Sequence, residues 1–190
     1  EVDLGRIEEN MEAMKEHLRP GTKMYGVVKT DAYGHGAVPV ARTIDRFVCG
    51  YAVATVDEGI KLRRHGIEKE ILCLGPVSAG RYQECLENDI SLPMFEYRRA
   101  KELSDAAVAE GKTAKIHIAV DTGMSRIGLF PDEGSVEIVK EIAELPALRI
   151  AGMFTHFARA DEADKTNAGE QYRRFSEFCD DVKAAGVAGP

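Results

Sequence analysis

The chain has 190 residues, 44% hydrophobic and 30% charged, with 25 Lys and Arg against 32 Asp and Glu for a formal net charge of −7. That length supports one substantial core, and the composition excludes both disorder and a fibrous repeat. The acidic balance argues against a nucleic-acid partner, which needs clustered cations, and no apolar run approaches the ~20 residues of a membrane helix.

The first residues, EVDLGRIEEN, are too acidic and polar for a signal peptide, so a cytoplasmic address is expected. They open an amphipathic helix over residues 3 to 18. Apolar runs of strand length then alternate with helix-length amphipathic stretches. KMYGVVK is followed by VPVARTIDRF, YAVAT by DEGIKLRRHG, EILCLG by AGRYQECLEN, and ISLPMF by EYRRAKELSDAAVAEG. KIHIAVD is followed by PDEGSVEIVKEIAELP, and LRIAGMFTHF by GEQYRRFSEFCDDVKAAG. Asp57, Ser78 and Asp132 stand where helices start, and Gly111 and Gly186 where they stop.

Six βα units of this kind imply a parallel sheet covered by helices on both faces. No GxGxxG follows the first strand, which weakens a doubly wound dinucleotide fold. The expected fold is a (β/α)8 TIM barrel, incomplete, with about six of its eight units present. Cys49 and Cys73 lie in the apolar runs FVCG and ILCLG and are expected to be buried reduced thiols. Neither the cysteines nor the five histidines have paired metal-ligand spacing, and no metal is expected.

Candidate polar residues follow strands rather than precede them. Lys29 closes YGVVK, Arg126 lies just past HIAVDTG, and His156 closes AGMFTH. In a βα barrel the active site forms at the C-terminal ends of the strands, so these three are expected at one mouth. A lysine there suits covalent chemistry, because a neutral amine condenses with an aldehyde. Taken singly, a strand-end lysine is more often a rim residue with its ammonium in water.

Residues 27 to 36, VVKTDAYGHG, resemble almost letter for letter the pyridoxal-phosphate attachment motif of the alanine racemases. EVDLGRIEEN, VDTGMSRIG (residues 120 to 128) and GMFTHFARAD (residues 152 to 161) are similar to further segments of that family, in its order and spacing. The resemblance covers the whole chain. It implies a pyridoxal 5'-phosphate enzyme of fold type III, an isomerase that interconverts L- and D-alanine and supplies D-alanine for the peptidoglycan cell wall.

By the same resemblance Lys29 carries the cofactor and acts as base on one face of the substrate Cα, and Tyr33 bonds the cofactor phosphate. Arg126 donates to the phenolic oxygen of the cofactor and helps bind substrate, and His156 lies beside the cofactor ring. Gly34 and Gly36 are expected to permit the sharp exit from the strand. Many family members carry a carbamylated lysine seven residues before this arginine, where this chain has Ala119. Another anion, water or a neighbouring carboxylate must then orient Arg126, and Asp121 and Asp161 are the candidates for it.

Residues 1–190 are therefore expected to be an N-terminal cofactor-binding barrel domain, truncated, with a C-terminal β-domain absent. In the resembled family that domain, from the partner of a homodimer, supplies the second base as a tyrosine, so this chain is expected to be inactive alone. The implied partner is a small amino acid. A serine racemase of the same family and a non-catalytic pyridoxal-phosphate-binding barrel protein are the alternatives.

Overall fold

A computed structural model describes residues 1–188. In chain order the elements are α1 (Leu4–Glu16), β1 (Met24–Val27), α2 (Lys29–Tyr33), α3 (Ala37–Ile44), β2 (Val48–Val53), α4 (Val56–Arg64) and β3 (Glu70–Cys73). There follow α5 (Tyr82–Glu87), β4 (Ile90–Met94), α6 (Tyr97–Ala109), β5 (Ala114–Ala119), α7 (Glu133–Ala143), β6 (Leu148–Phe154) and α8 (Thr166–Ala184). Strand and helix alternate as the hydrophobic periodicity requires, with six strands among the described residues.

The chain divides into two compact units, one of Glu1–Val77 with Glu87–Leu92, the other of Ser78–Leu86 with Pro93 onward. In the first, β1 pairs parallel with β2, β2 with β3 through Gly50↔Glu70 to Val53↔Cys73, and β3 with β4 at Ile71↔Ile90 and Leu72↔Ser91. In the second, β5 and β6 pair parallel from Ala114↔Leu148 to Ala119↔Phe154, with an irregularity at Ile116/His117. Tyr51, Leu62 and Ile71 form the centre of the first core, and Leu103, Ile116, Ile118, Val139, Ile142 and Phe178 that of the second. Each such aliphatic side chain contributes about 1.5–3 kcal/mol by leaving water.

Helix starts follow capping chemistry. The Asp3 carboxylate accepts from Arg6 N at the head of α1, and that of Asp132 accepts from Ser135 N at 2.8 Å at the head of α7. Helix α4 is capped by Thr55 rather than by Asp57, which lies inside the first turn. Thr55 and Glu58 form a reciprocal capping box there, because the threonine hydroxyl reaches the N3 amide that an aspartate two residues later cannot.

Three other expectations are corrected. The helix over VPVARTIDRF ends at Ile44, and Asp45–Phe47 tighten into a 3-10 turn. Cys49 is exposed, since β2 turns that one side chain outward, where its thiol donates to Met24 O at 3.2 Å; Cys73 is buried as expected. Lys29 does not close β1. The ladder runs one residue past the strand, with Val28 N donating to Ala52 O at 2.9 Å, and Lys29 begins the turn that follows.

Candidate active site

In the first unit Lys29 starts α2, a single turn wound the wrong way for L-amino acids. Thr30, Asp31, Ala32 and Tyr33 all have φ between 53° and 56°. Left-handed winding costs about 1–2 kcal/mol per residue, roughly 4–8 kcal/mol for four, so the surroundings must hold the turn in place. Part of the hold is internal: Ala32 N donates to Val28 O at 2.9 Å, and Gly36 N to Asp31 O at 2.8 Å. The rest comes from carboxylates. Glu58 accepts from Thr30 N at 2.6 Å, and Asp31 accepts from Ala37 N at 2.9 Å and from Lys61 Nζ at 2.8 Å. The Ala37 amide and then the Lys61 ammonium hold the Asp31 carboxyl below its ordinary range.

The turn brings Lys29 and Tyr33 together. Lys29 Nζ lies 6.0 Å from the centre of the Tyr33 ring, and Lys29 is half-buried while Tyr33 is 63% exposed. Gly34 and Gly36 do have positive φ, 85° and 91°, as the sharp exit requires. The reversal nonetheless begins four residues earlier, on side chains that disfavour it.

In the second unit Arg126 lies on the loop after β5, exposed, and its guanidinium makes no ion pair or hydrogen bond among the described residues. The loop returns to the end of its own strand: Leu129 N donates to Ala119 O at 2.9 Å, and Asp121 N to Leu129 O at 2.8 Å. Gly128, at φ 127°, closes it. A Cβ there would lie 2.5 Å from Asp121 N, which no side chain tolerates. Asp121 does not reach Arg126. Its Oδ1 accepts from Gly123 N at 3.0 Å and Ser125 N at 2.9 Å and so shapes the loop, while Asp161 is exposed. Ala119 is 1% exposed in β5.

His156 lies two residues beyond β6 and is exposed. Its backbone is tied to the Arg126 loop through Gln171 of α8, which is 1% exposed. Gln171 Nε2 donates to Thr122 Oγ1 and to His156 O, both at 3.1 Å, and Oε1 accepts from Ala158 N at 2.9 Å. Thr122 and Thr155 share a further hydroxyl contact of 2.8 Å. One buried amide thus sets the spacing of the two segments that carry Arg126 and His156.

Glu58 and Gln171 were not singled out from sequence. For Glu58 the T-x-x-E pattern of residues 55 to 58 was a usable signal. For Gln171 the signal was its helical phase, seven and eleven residues before the buried Phe178 and Val182, on a face otherwise apolar. Among the described residues no group of three or more His, Cys, Asp or Glu is placed to hold a metal ion, and no helix is long and apolar enough to cross a membrane.

Residues 2–190 match the family described as alanine racemase, N-terminal domain. The chain belongs to the alanine racemase N-terminal domain family. Alanine racemase of Clostridium novyi (strain NT) is 44% identical over 188 residues, which are 98% of this chain and 48% of that protein. A solved alanine racemase of Clostridium difficile 630 superposes with a TM-score of 0.95 at 36% identity, covering 98% of this chain and 49% of that one. Its complex with cycloserine gives 0.92 at 37%, covering 98% and 51%. This racemase-family chain therefore has the expected fold, an incomplete TIM barrel of six βα units, and spans about half the length of the curated relatives it matches.

Proposed function

We propose that these residues form the cofactor-lysine half of an alanine racemase that interconverts L- and D-alanine, with pyridoxal 5'-phosphate held through Lys29. The observation that carries the reading is a half-buried amine at the start of a strained turn, with a solvent-facing phenol four residues on, in a chain of this family. An amine, a phenol and a guanidinium unpaired among the described residues fit an aldehyde, a phosphate and an anionic ring oxygen. When bound, the cofactor supplies an electron sink for negative charge at the substrate Cα.

The chain's own groups do the rest. Lys29 would hold the cofactor through its amine until the amino group of the substrate displaces it, and the freed Nζ would then take or return the Cα proton on one face. The Tyr33 hydroxyl donates to the phosphate. Arg126, whose five N–H donors have no side-chain partner among the described residues, donates to the phenolic oxygen and binds the substrate carboxylate. His156, whose backbone is held by Gln171, would stand beside the cofactor ring. The loop around Arg126 is closed by its own backbone rather than by a carbamate seven residues earlier, where Ala119 stands.

Racemisation needs a base on each face of Cα, and the second is assigned to residues outside these 190, as is the homodimer that brings it. Coverage of about half of each relative supports that division. The test is titration with pyridoxal phosphate. A visible absorption band is expected for the wild-type protein and none for Lys29→Ala, with little conversion of L- to D-alanine by these residues alone. A band that survives Lys29→Ala would overturn the role of Lys29. Rapid racemisation by the 190-residue chain would overturn the assignment of the second base elsewhere.

A further inference from the structure

We infer that Glu58 is a positioning residue for Lys29: its carboxylate clamps the left-handed turn that aims the amine. The inference rests on the reading of Lys29 as the cofactor lysine. Both oxygens of Glu58 are directed at backbone. Oε1 accepts from Thr30 N at 2.6 Å, the first amide after Lys29, and Oε2 accepts from Ala54 N at 2.8 Å and Thr55 N at 3.3 Å, just beyond β2. One side chain therefore ties the exit of β1 to the exit of β2 across the first turn of α4.

The chemistry suits that task. Bonds from amides to a carboxylate are the shorter and stronger kind, and a negative charge at the third position of a helix is favoured by the unpaired amides there. Capping alone needs only the Oε2 side of this carboxylate, because Thr55 Oγ1 accepts from Glu58 N and Glu58 Oε2 from Thr55 N. The Oε1 contact to Thr30 is additional to it. One helical turn further along α4, Lys61 reaches Asp31 of the same turn at 2.8 Å, but both of those side chains are half exposed and water weakens the pair. Four consecutive left-handed residues relax toward ordinary backbone unless something fixes them, and Glu58 fixes the first.

Two variants separate the clamp from the cap. Thr55→Ala and Glu58→Ala both weaken the start of α4, but only the second removes the acceptor at Thr30. Two quantities are measured on each purified protein: exchange of the Thr30 amide by NMR without cofactor, and the yield of borohydride-stable pyridoxyl adduct on Lys29 at subsaturating pyridoxal phosphate. Glu58→Ala is expected to speed Thr30 exchange and lower the adduct yield, each about tenfold, while Thr55→Ala stays within about twofold of wild type. Glu58→Gln, which keeps one acceptor oxygen, is expected to fall between.

If Glu58→Ala matches Thr55→Ala in both measurements, or leaves Thr30 exchange unchanged, the carboxylate is only a helix cap and the inference is wrong. If the wild-type protein forms no adduct on Lys29, the cofactor reading fails instead, and Thr30 exchange alone decides whether the clamp exists.

Discussion

The turn at Lys29 and the loop at Arg126 solve the same problem, presenting a cation just past a parallel strand, by opposite means. The first sets four side-chain-bearing residues in a conformation they disfavour and holds them from outside with Glu58 and with Asp31 bonded to Lys61 and Ala37. The second spends glycine at its close approach, folds back on its own strand, and rests on one buried amide. A strained turn fixes the backbone from which the amine extends. A closed loop leaves its arginine exposed and without a partner among the described residues, as the proposed anion-binding role requires.

If that contrast is right, the loop fails by losing its hub. Gln171→Leu removes the three hydrogen bonds of a buried amide, to Thr122, His156 and Ala158, and is expected to cost about 4 kcal/mol in urea unfolding, because each such bond contributes up to about 1.5 kcal/mol. Gly128→Ala comes next, at about 3 kcal/mol, since its Cβ would meet the backbone of Asp121 and Val120. A loss under about 1 kcal/mol in either variant would mean that the loop is not built this way.

The turn is expected to respond in the other direction. Thr30→Gly should raise stability by about 1 kcal/mol, because relief of a β-branched residue at φ 56° outweighs the extra freedom of the unfolded chain. Destabilisation on that change would show that the turn is unstrained.

The smallest effect is acid sensitivity. The Asp31 carboxyl is depressed, so its contribution is complete above the ordinary carboxylate range and is lost as pH falls below about 4. In α8, Glu170 is pushed down to about 2, by Arg173 first, and keeps its charge longer. Amide exchange followed on acidification should therefore quicken in residues 30 to 37 before it does in the first turns of α8. The reverse order would contradict the electrostatic part of the account.

Most of the architecture was legible in the sequence because it follows from period and punctuation. Buried parallel strands read as apolar runs, and Asp132 caps α7 as its position suggested. The site was legible as a set of residue types at strand ends, and less so as a geometry. Nothing in KTDAY announces left-handed winding, because the turn is imposed by contacts made 28 and 30 residues later in the chain. Asp57 suits a cap by residue type, and only the reciprocal bonds of Thr55 and Glu58 place the start of α4 two residues earlier. Gln171 was legible only in part: its helical phase turns it inward, but its partners, here Thr122, His156 and Ala158, come from loops distant in sequence.

The account turns on which amine meets the aldehyde. Borohydride reduction of the protein with pyridoxal phosphate, followed by peptide mapping in the mass spectrometer, answers this directly. A pyridoxyl group confined to the peptide that contains Lys29 is the expected result. Modification spread over surface lysines, or concentrated on a lysine away from that turn, would contradict it.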